Sequence, residues 1–276
     1  MGDRPAPASN GLAVLPDFKL GSDPGSLDLM LVCAGGNPAT FNDKRTFAWL
    51  RRLAARGVTL GGVSGGPLIL AKAGLLSGRR CTVHWLHAPA MAETFPDVEV
   101  TRSLFEIDRD RITCSGGVAS LDMMVALITR DHGFQLGSAV SEWLLHTNVR
   151  AGAGPQRMDL RHRLGIGDER LLRAVRAMES NLETPLTRGQ LAGVAGLSLR
   201  QLERSFQKGL GRGVHEHYLV LRLAQARQLL QETSMSVFGV ALTTGFASAT
   251  QFSRAFKRHF GIGPRDLRQS GHQRAR

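Results

Sequence analysis

Cysteine is scarce in this sequence. Cys33, Cys81 and Cys114 are odd in number, far apart and without a C-x-x-C spacing, so neither a disulfide framework nor a zinc site is predicted, and a reducing compartment fits. Long apolar runs are missing as well. No stretch of about 18 apolar residues occurs, and the Pro-, Ala- and Ser-rich opening at residues 1–10 carries no hydrophobic signal core. A chain that neither spans a membrane nor is exported is expected, hence a cytoplasmic one. The second half is poor in acid. Residues 1–154 hold 15 Lys+Arg against 14 Asp+Glu, whereas residues 155–276 hold 20 against 9, so nearly all of the net charge of +12 lies in the second half. That asymmetry fits a half that meets a polyanion, with a solvated basic surface or anionic lipid as alternatives.

A length of 276 residues with 42% hydrophobic composition suits two domains, each with its own core. The expected division is residues 1–150, a linker over 151–167, and residues 168–276. The linker reading rests on Ala151-Gly152-Ala153-Gly154-Pro155, which is small and flexible.

In the first half, Leu27-Asp28-Leu29-Met30-Leu31-Val32-Cys33, short and largely apolar, reads as a buried strand running into the Ala34-Gly35-Gly36 turn. Residues 44–56 place Phe47, Leu50, Leu53 and Ala54 at helical spacing before a stop at Gly57. Val58-Thr59-Leu60 is the next strand candidate, and a Gly-rich segment, Gly61-Gly62-Val63-Ser64-Gly65-Gly66, leads into a helix with Pro67 in its first turn. Strands are expected at 81–85, 98–100, 104–107 and 111–114, with a hairpin around Asp108-Arg109-Asp110, and closing helices at 121–129 and 136–146. The order predicts parallel α/β pairing. Gly62-Val63-Ser64-Gly65-Gly66 also satisfies G-x-S-x-G, so Ser64 is a candidate nucleophile. A serine hydrolase needs a base and an orienting acid, and His84, His132, His146 and Asp108 show no characteristic spacing for those roles.

Taken together, Leu31-Val32-Cys33-Ala34-Gly35-Gly36, the Ser64 turn, Thr82-Val83-His84-Trp85, Phe95-Pro96-Asp97-Val98 and Cys114-Ser115-Gly116-Gly117 resemble the DJ-1/PfpI, or class I glutamine amidotransferase-like, domain of GlxA-type transcriptional regulators. The resemblance implies an α/β domain with Ser64 at an elbow usually held by Cys and His84 at the His position. It implies a ligand pocket near Gly35, Gly36, Ser64 and His84; no catalytic residue, no metal and no cofactor are expected. It further implies that Ala8-Ser9-Asn10-Gly11-Leu12 matches a segment well inside the relatives' domain, so an opening strand-helix-strand is expected to be absent.

The second half repeats itself. Ser198-Leu199-Arg200-Gln201-Leu202-Glu203-Arg204-Ser205-Phe206 aligns with Ser248-Ala249-Thr250-Gln251-Phe252-Ser253-Arg254-Ala255-Phe256 at a constant offset of 50 residues. Each copy predicts a short helix, a Gly-containing turn, a Ser cap, and a second helix with an apolar stripe inward and a polar, basic face outward. A solvated charged face is the alternative for either copy alone. Between them, residues 214–232 read as one helix of 19 residues, about 28 Å long at 1.5 Å per residue. Successive major-groove faces of B-DNA recur at roughly 34 Å, so the helix can present two readers to adjacent turns.

Gly196-Leu197-Ser198, Leu202, Arg204, Phe206, Ala226, Gly245-Phe246-Ala247-Ser248, Gln251-Phe252-Ser253-Arg254-Ala255-Phe256-Lys257 and Gly261-Ile262-Gly263-Pro264 resemble the AraC/XylS DNA-binding domain. An all-α domain with two helix-turn-helix units is implied. So are base contacts from Arg200, Gln201 and Arg204 and from Ala249, Thr250, Gln251 and Arg254, with phosphate contacts from Lys208, Lys257, Arg258 and Arg265. Gly239 departs from the pattern, since Gly in a helix interior costs about 1 kcal/mol relative to Ala. The expected protein is a sequence-specific transcriptional regulator and activator. Its expected partners are double-stranded promoter DNA, RNA polymerase, a small nitrogenous effector and a second copy of itself. A Ser64 hydrolase or amidase, and a constitutive DNA-binding protein with an inert first domain, are the alternatives.

Overall fold

An apolar run has little solvent face to offer, and Leu-Met-Leu-Val-Cys-Ala accordingly forms a strand with neighbours on both faces, only its Cys33 exposed. In the computed structural model, which describes residues 5–7, 12–22, 25–233 and 235–273, the chain separates into two units, Met1–Gln156 and Arg157–Arg276. The first begins with a short antiparallel ladder between β1 (Ala6–Pro7) and β2 (Ala13–Val14). The α/β body then follows as β3 (Leu29–Ala34), α1 (Lys44–Ala55), β4 (Thr59–Ser64) and α2 (Gly66–Lys72). Its remaining elements are β5 (Arg80–Thr82), α3 (Ala88–Thr94), β6 (Glu99–Thr101), β7 (Phe105–Asp108), β8 (Arg111–Cys114), α4 (Ala119–His132) and α5 (Phe134–Trp143).

The main sheet runs β3-β4-β8-β7, with β3, β4 and β8 parallel and β7 antiparallel to β8 through the two-residue hairpin turn Arg109-Asp110. A separate parallel pair, β5-β6, stands beside it. The pleat of β3 divides its side chains. Met30, Val32 and Ala34 join a core with Phe47, Leu50 and Leu53 of α1 and the buried α2, while Leu29 and Leu31 join Met123 and Leu127 of α4. Helices therefore cover both faces of the sheet.

One element extends further than the sequence suggests. Strand β4 does not stop at Leu60 but continues through Gly61 and Gly62 to Ser64. The glycines are there because the neighbours leave no room: a Cβ on Gly61 would strike Leu31, and one on Gly62 would lie 2.5 Å from the Pro67 nitrogen. Residues 8–11, on which the comparison of the chain's opening rests, lie outside the described residues.

The stretch expected as a linker is divided between the units. Leu104 N donates to Gly152 O at 2.7 Å, and the Gln156 amide nitrogen reaches Thr82 Oγ1, Val83 O and Ser103 O at 2.9–3.0 Å. Residues 151–156 thus lie against the first unit. Further on, α6 (Leu160–Leu164) buries Leu160 in the core of the second.

The second unit is helical throughout its described residues: α7 (Glu169–Ser180), α8 (Arg188–Ala195), α9 (Leu199–Leu210), α10 (Val214–Glu232), α11 (Val237–Thr243), α12 (Ala249–Phe260) and α13 (Pro264–Gln273) follow α6. It has two cores. One gathers Leu171, Val175, Leu191, Leu202 and Phe206, the other Leu223, Leu230, Val240, Phe252 and Phe256, and α10 supplies residues to both. The segment before α8 ties them together. The Tyr218 hydroxyl of α10 donates to Asn181 O and accepts from Leu186 N, while Arg222, one helical turn on, donates to Thr244 O and Gly245 O at 2.7 Å.

Candidate DNA interface

Helices α9 and α12 have the same construction. Each has 12 residues, a Ser cap whose hydroxyl accepts from the N–H three residues on, and a left-handed glycine, Gly211 or Gly261, at its end. In α9 the buried side chains are Leu202 and Phe206; in α12 they are Phe252, Ala255 and Phe256. Burying that stripe turns the opposite face outward. Arg200, Gln201, Arg204 and Lys208 are exposed on α9, and Thr250, Gln251, Arg254, Lys257 and Arg258 on α12, with Ala249 half-buried at its start and Arg265 exposed on α13.

The two faces differ in what they leave free. Gln201 is already in use: its side-chain oxygen accepts from Ser198 N at 2.9 Å and closes a reciprocal capping box. Only its NH2 group remains to donate outward. Gln251 carries no such bond among the described residues, although its own N–H is held by Ser248 at 3.2 Å. The α9 face forms an open depression of about 650 Å³ lined by Arg200, Glu203, Arg204, Gln207 and Lys208. Beside α12 lies a narrower cleft of about 400 Å³, closed on its other side by His215, Leu219 and Arg222 of α10. The contribution of α10 to that cleft was not visible in the repeat, because it depends on where the helix packs.

In the first unit the strand ends bring Ser64, Gly35, Gly36 and His84 to one edge. Ala34 pairs with Ser64 across β3 and β4, so the Gly35-Gly36 turn follows directly beside it, and His84 N donates to Ser64 O at 3.1 Å. Ser64 sits at φ +61°, a left-handed conformation that a side-chain-bearing residue adopts only under constraint, with Gly116 pressed against it. Burial pushes the His84 imidazole below its ordinary pKa, and its Nδ1 accepts from Leu86 N at 3.4 Å. Among the described residues the Ser64 hydroxyl makes no hydrogen bond to a histidine or carboxylate.

The other sequence candidates are occupied elsewhere. Asp108 is held in the hairpin by Arg109 and by Arg80 N, and the hydrogen bond from Arg109 chiefly lowers its pKa. His132 ends α4. His146 Nε2 lies 2.8 Å from Oδ1 of the fully buried Asp122, which also receives the Arg150 backbone N–H and guanidinium. Burial raises the Asp122 pKa, but these hydrogen bonds outweigh it and hold the carboxyl below its usual value. The cluster pins the chain leaving α5 onto α4, and sequence spacing gave no sign of it.

Known proteins match both units. Residues 2–130 fit the family model described as the DJ-1/PfpI family, and residues 191–270 the one described as a helix-turn-helix domain. The HTH-type transcriptional regulator GbdR of Pseudomonas aeruginosa is 44% identical over 262 residues, covering 95% of this chain and 71% of that protein. The HTH-type transcriptional regulator GlxA of Rhizobium meliloti is 41% identical over 263 residues, covering 95% and 81%. A solved AraC-type DNA-binding transcriptional regulator from Chromobacterium violaceum is 45% identical, covering 38% of this chain and 93% of its own, with a TM-score of 0.37. This chain belongs to the HTH-type transcriptional regulators in which a DJ-1/PfpI domain precedes an AraC-type DNA-binding domain.

Proposed function

We propose that the protein activates transcription by laying α9 and α12 into successive major-groove segments of a promoter, each helix pair acting as a helix-turn-helix reader and α10 as the spacer. The observation that carries this is the matched pair of exposed faces, Arg200, Gln201 and Arg204 on one helix and Thr250, Gln251 and Arg254 on the other, joined by a 19-residue helix. Arg suits guanine O6 and N7, Gln251 suits adenine through both amide atoms, Gln201 offers its NH2 group to a base acceptor, and the methyl of Ala249 or Thr250 suits a thymine methyl. Lys208, Lys257, Arg258 and Arg265 reach phosphates, which sets affinity and salt dependence rather than sequence choice.

The first domain, residues 1–150 by sequence, acts as a non-catalytic sensor whose ligand sits by Gly35, Gly36, Ser64 and His84, at the C-terminal ends of the strands. Two features support a binding role. Among the described residues the Ser64 hydroxyl lacks a hydrogen-bonded base, and β3 has a strand neighbour on one side only, which leaves that edge of the described sheet open. A second copy of the chain, RNA polymerase and a cytoplasmic setting complete the reading; no described helix is long and apolar enough to cross a membrane.

Footprinting on the upstream promoter tests it. Two protected segments about one helical turn apart are expected. Arg204→Ala and Arg254→Ala should each cost about 1–3 kcal/mol of operator affinity. Full protection by both variants would remove the assignment of these faces to DNA. Ser64→Ala should leave operator binding intact and abolish no hydrolytic turnover.

A further inference from the structure

The cleft between α10 and α12 has a charge pattern that a solvated surface rarely shows. His215, Arg222, Arg254 and Arg258 line its approximately 400 Å³, and no carboxylate does. By contrast, the open depression on α9 includes Glu203 among its basic residues. A concave site lined by three arginines and no carboxylate concentrates field and selects an anion.

Its floor is rigid. The Arg222 guanidinium lies 4.2 Å over the Phe246 ring, and its Nε and Nη2 are spent on Thr244 O and Gly245 O. Nη1 has no protein partner among the described residues. His215 is exposed in the first turn of α10, immediately after the chain leaves the first reading helix, and faces the second across this cleft. The cleft therefore lies between the spacer helix and the second reader, with His215 five residues beyond the end of the first. When two helices occupy successive major-groove segments, what passes between them is the sugar-phosphate backbone.

We infer that this cleft seats a backbone phosphodiester between the two reading helices, with His215 and Arg222 of α10 as donors, so that the spacer helix itself grips DNA. The inference rests on the proposed two-reader docking and deepens it. It assigns DNA contact to residues outside both repeated units.

The test uses the full chain, the footprinted operator duplex and an unrelated duplex. Because a phosphate contact carries no sequence information, His215→Ala should weaken both duplexes by a similar factor, about tenfold for a hydrogen bond to a charged group. Arg204→Ala, outside the cleft, should weaken the operator far more than the unrelated duplex. Replacing single phosphates between the two protected segments with neutral methylphosphonates should locate one linkage at which His215→Ala no longer has an effect. His215 is exposed, so thermal unfolding of the variant should match the parent. If His215→Ala binds both duplexes like the parent while Arg204→Ala loses the operator, the phosphate seat is wrong and the two-reader docking stands. If Arg204→Ala and Arg254→Ala also bind like the parent, the docking itself fails. A His215→Ala effect that survives at every methylphosphonate overturns the seat. So does an effect seen only as lost sensitivity of binding to added inorganic phosphate, which would assign the cleft to a free anion.

Discussion

The two helix pairs share a sequence pattern but not a means of support. In the first, α8 and α9 both start with reciprocal capping boxes, Thr187 with Gln190 and Ser198 with Gln201. In the second, Ser236 and Ser248 accept from the N–H three residues on, and α11 has Gly239 where a box would need Gln or Glu. The cores differ too. Phe206 of the first pair meets the buried imidazole of His217 at 5.6 Å, whereas Phe246, Phe252, Phe256 and Phe260 of the second form a chain of ring contacts at 4.6–5.4 Å. The first pair is held by local hydrogen bonds, the second by aromatic packing and by neighbours from outside the repeat. Outward faces of one pattern can therefore rest on two different foundations.

The turn glycines give the largest test of that difference. Both are left-handed, Gly196 at φ +67° and Gly245 at φ +75°. A Cβ on Gly196 would meet only the end of Arg173 at 3.7 Å, but one on Gly245 would lie 2.6 Å from Leu182 O and from Pro185 Cγ. Gly196→Ala should cost the left-handed penalty alone, about 1–2 kcal/mol. Gly245→Ala adds a clash with backbone that cannot swing away, for a total of about 2–5 kcal/mol. Urea unfolding of the full chain separates them. Equal losses would mean that the second turn is no more tightly held than the first.

His217 sharpens the comparison next. It is 4% exposed, neither ring nitrogen has a hydrogen-bond partner, and burial, helped by nearby Arg212, pushes its pKa down to about 4. The folded value lies below the unfolded one of about 6.5, so the unfolded chain binds more protons in that window. Stability is therefore intact above pH 6.5 and falls as the pH drops toward 4. At pH 4.5 this group alone should remove about 2 kcal/mol relative to pH 7. His217→Leu should unfold with a smaller pH dependence by that amount. An unchanged dependence would place the proton elsewhere, with His87 of the first unit, also pushed down to about 4, as the other buried imidazole.

How much of this could be read in advance follows from the range of the interactions. The reading helices, their Ser caps and their outward faces were legible because an amphipathic period and a cap are local signals. The bounds of α10 were legible from Leu219, Leu223, Ala226 and Leu230 at helical spacing, although it has no side-chain cap. Gly61 and Gly62 read as a turn yet lie in β4, since the demand for glycine comes from Leu31 and Pro67, one of them on another strand. Gln156 read as linker, and its amide partners Thr82, Val83 and Ser103 stand 53–74 residues away. The cation-lined cleft was hidden likewise: the repeat displays Arg254 and Arg258, but only packing brings His215 and Arg222 opposite them.

The smallest effect is a gain, and it asks whether the second pair can be given the first pair's support. Gly239 is the third residue of α11, and its N–H already donates to Ser236 Oγ at 2.9 Å. A Cβ there would sit 3.3 Å from that hydroxyl and 3.8 Å from Met235 Cε, so the cap must yield by a few tenths of an ångström at most. Removing the helix-interior glycine is worth about 1 kcal/mol, and shifting the cap takes back part of it, which leaves a gain of about 0.5 kcal/mol for Gly239→Ala. Gly239→Gln would go further, because a Ser or Thr cap with Gln three residues on is the arrangement that closes both boxes in the first pair. Its amide oxygen should accept from Ser236 N and stabilise the helix start beyond the Ala variant. Thermal unfolding resolves the order: parent below Ala below Gln means that α11 is soft for want of local hydrogen bonds. Ala at or below the parent means that the crowded Ser236 cap, rather than glycine's freedom, sets the limit, and the two pairs then differ by steric design.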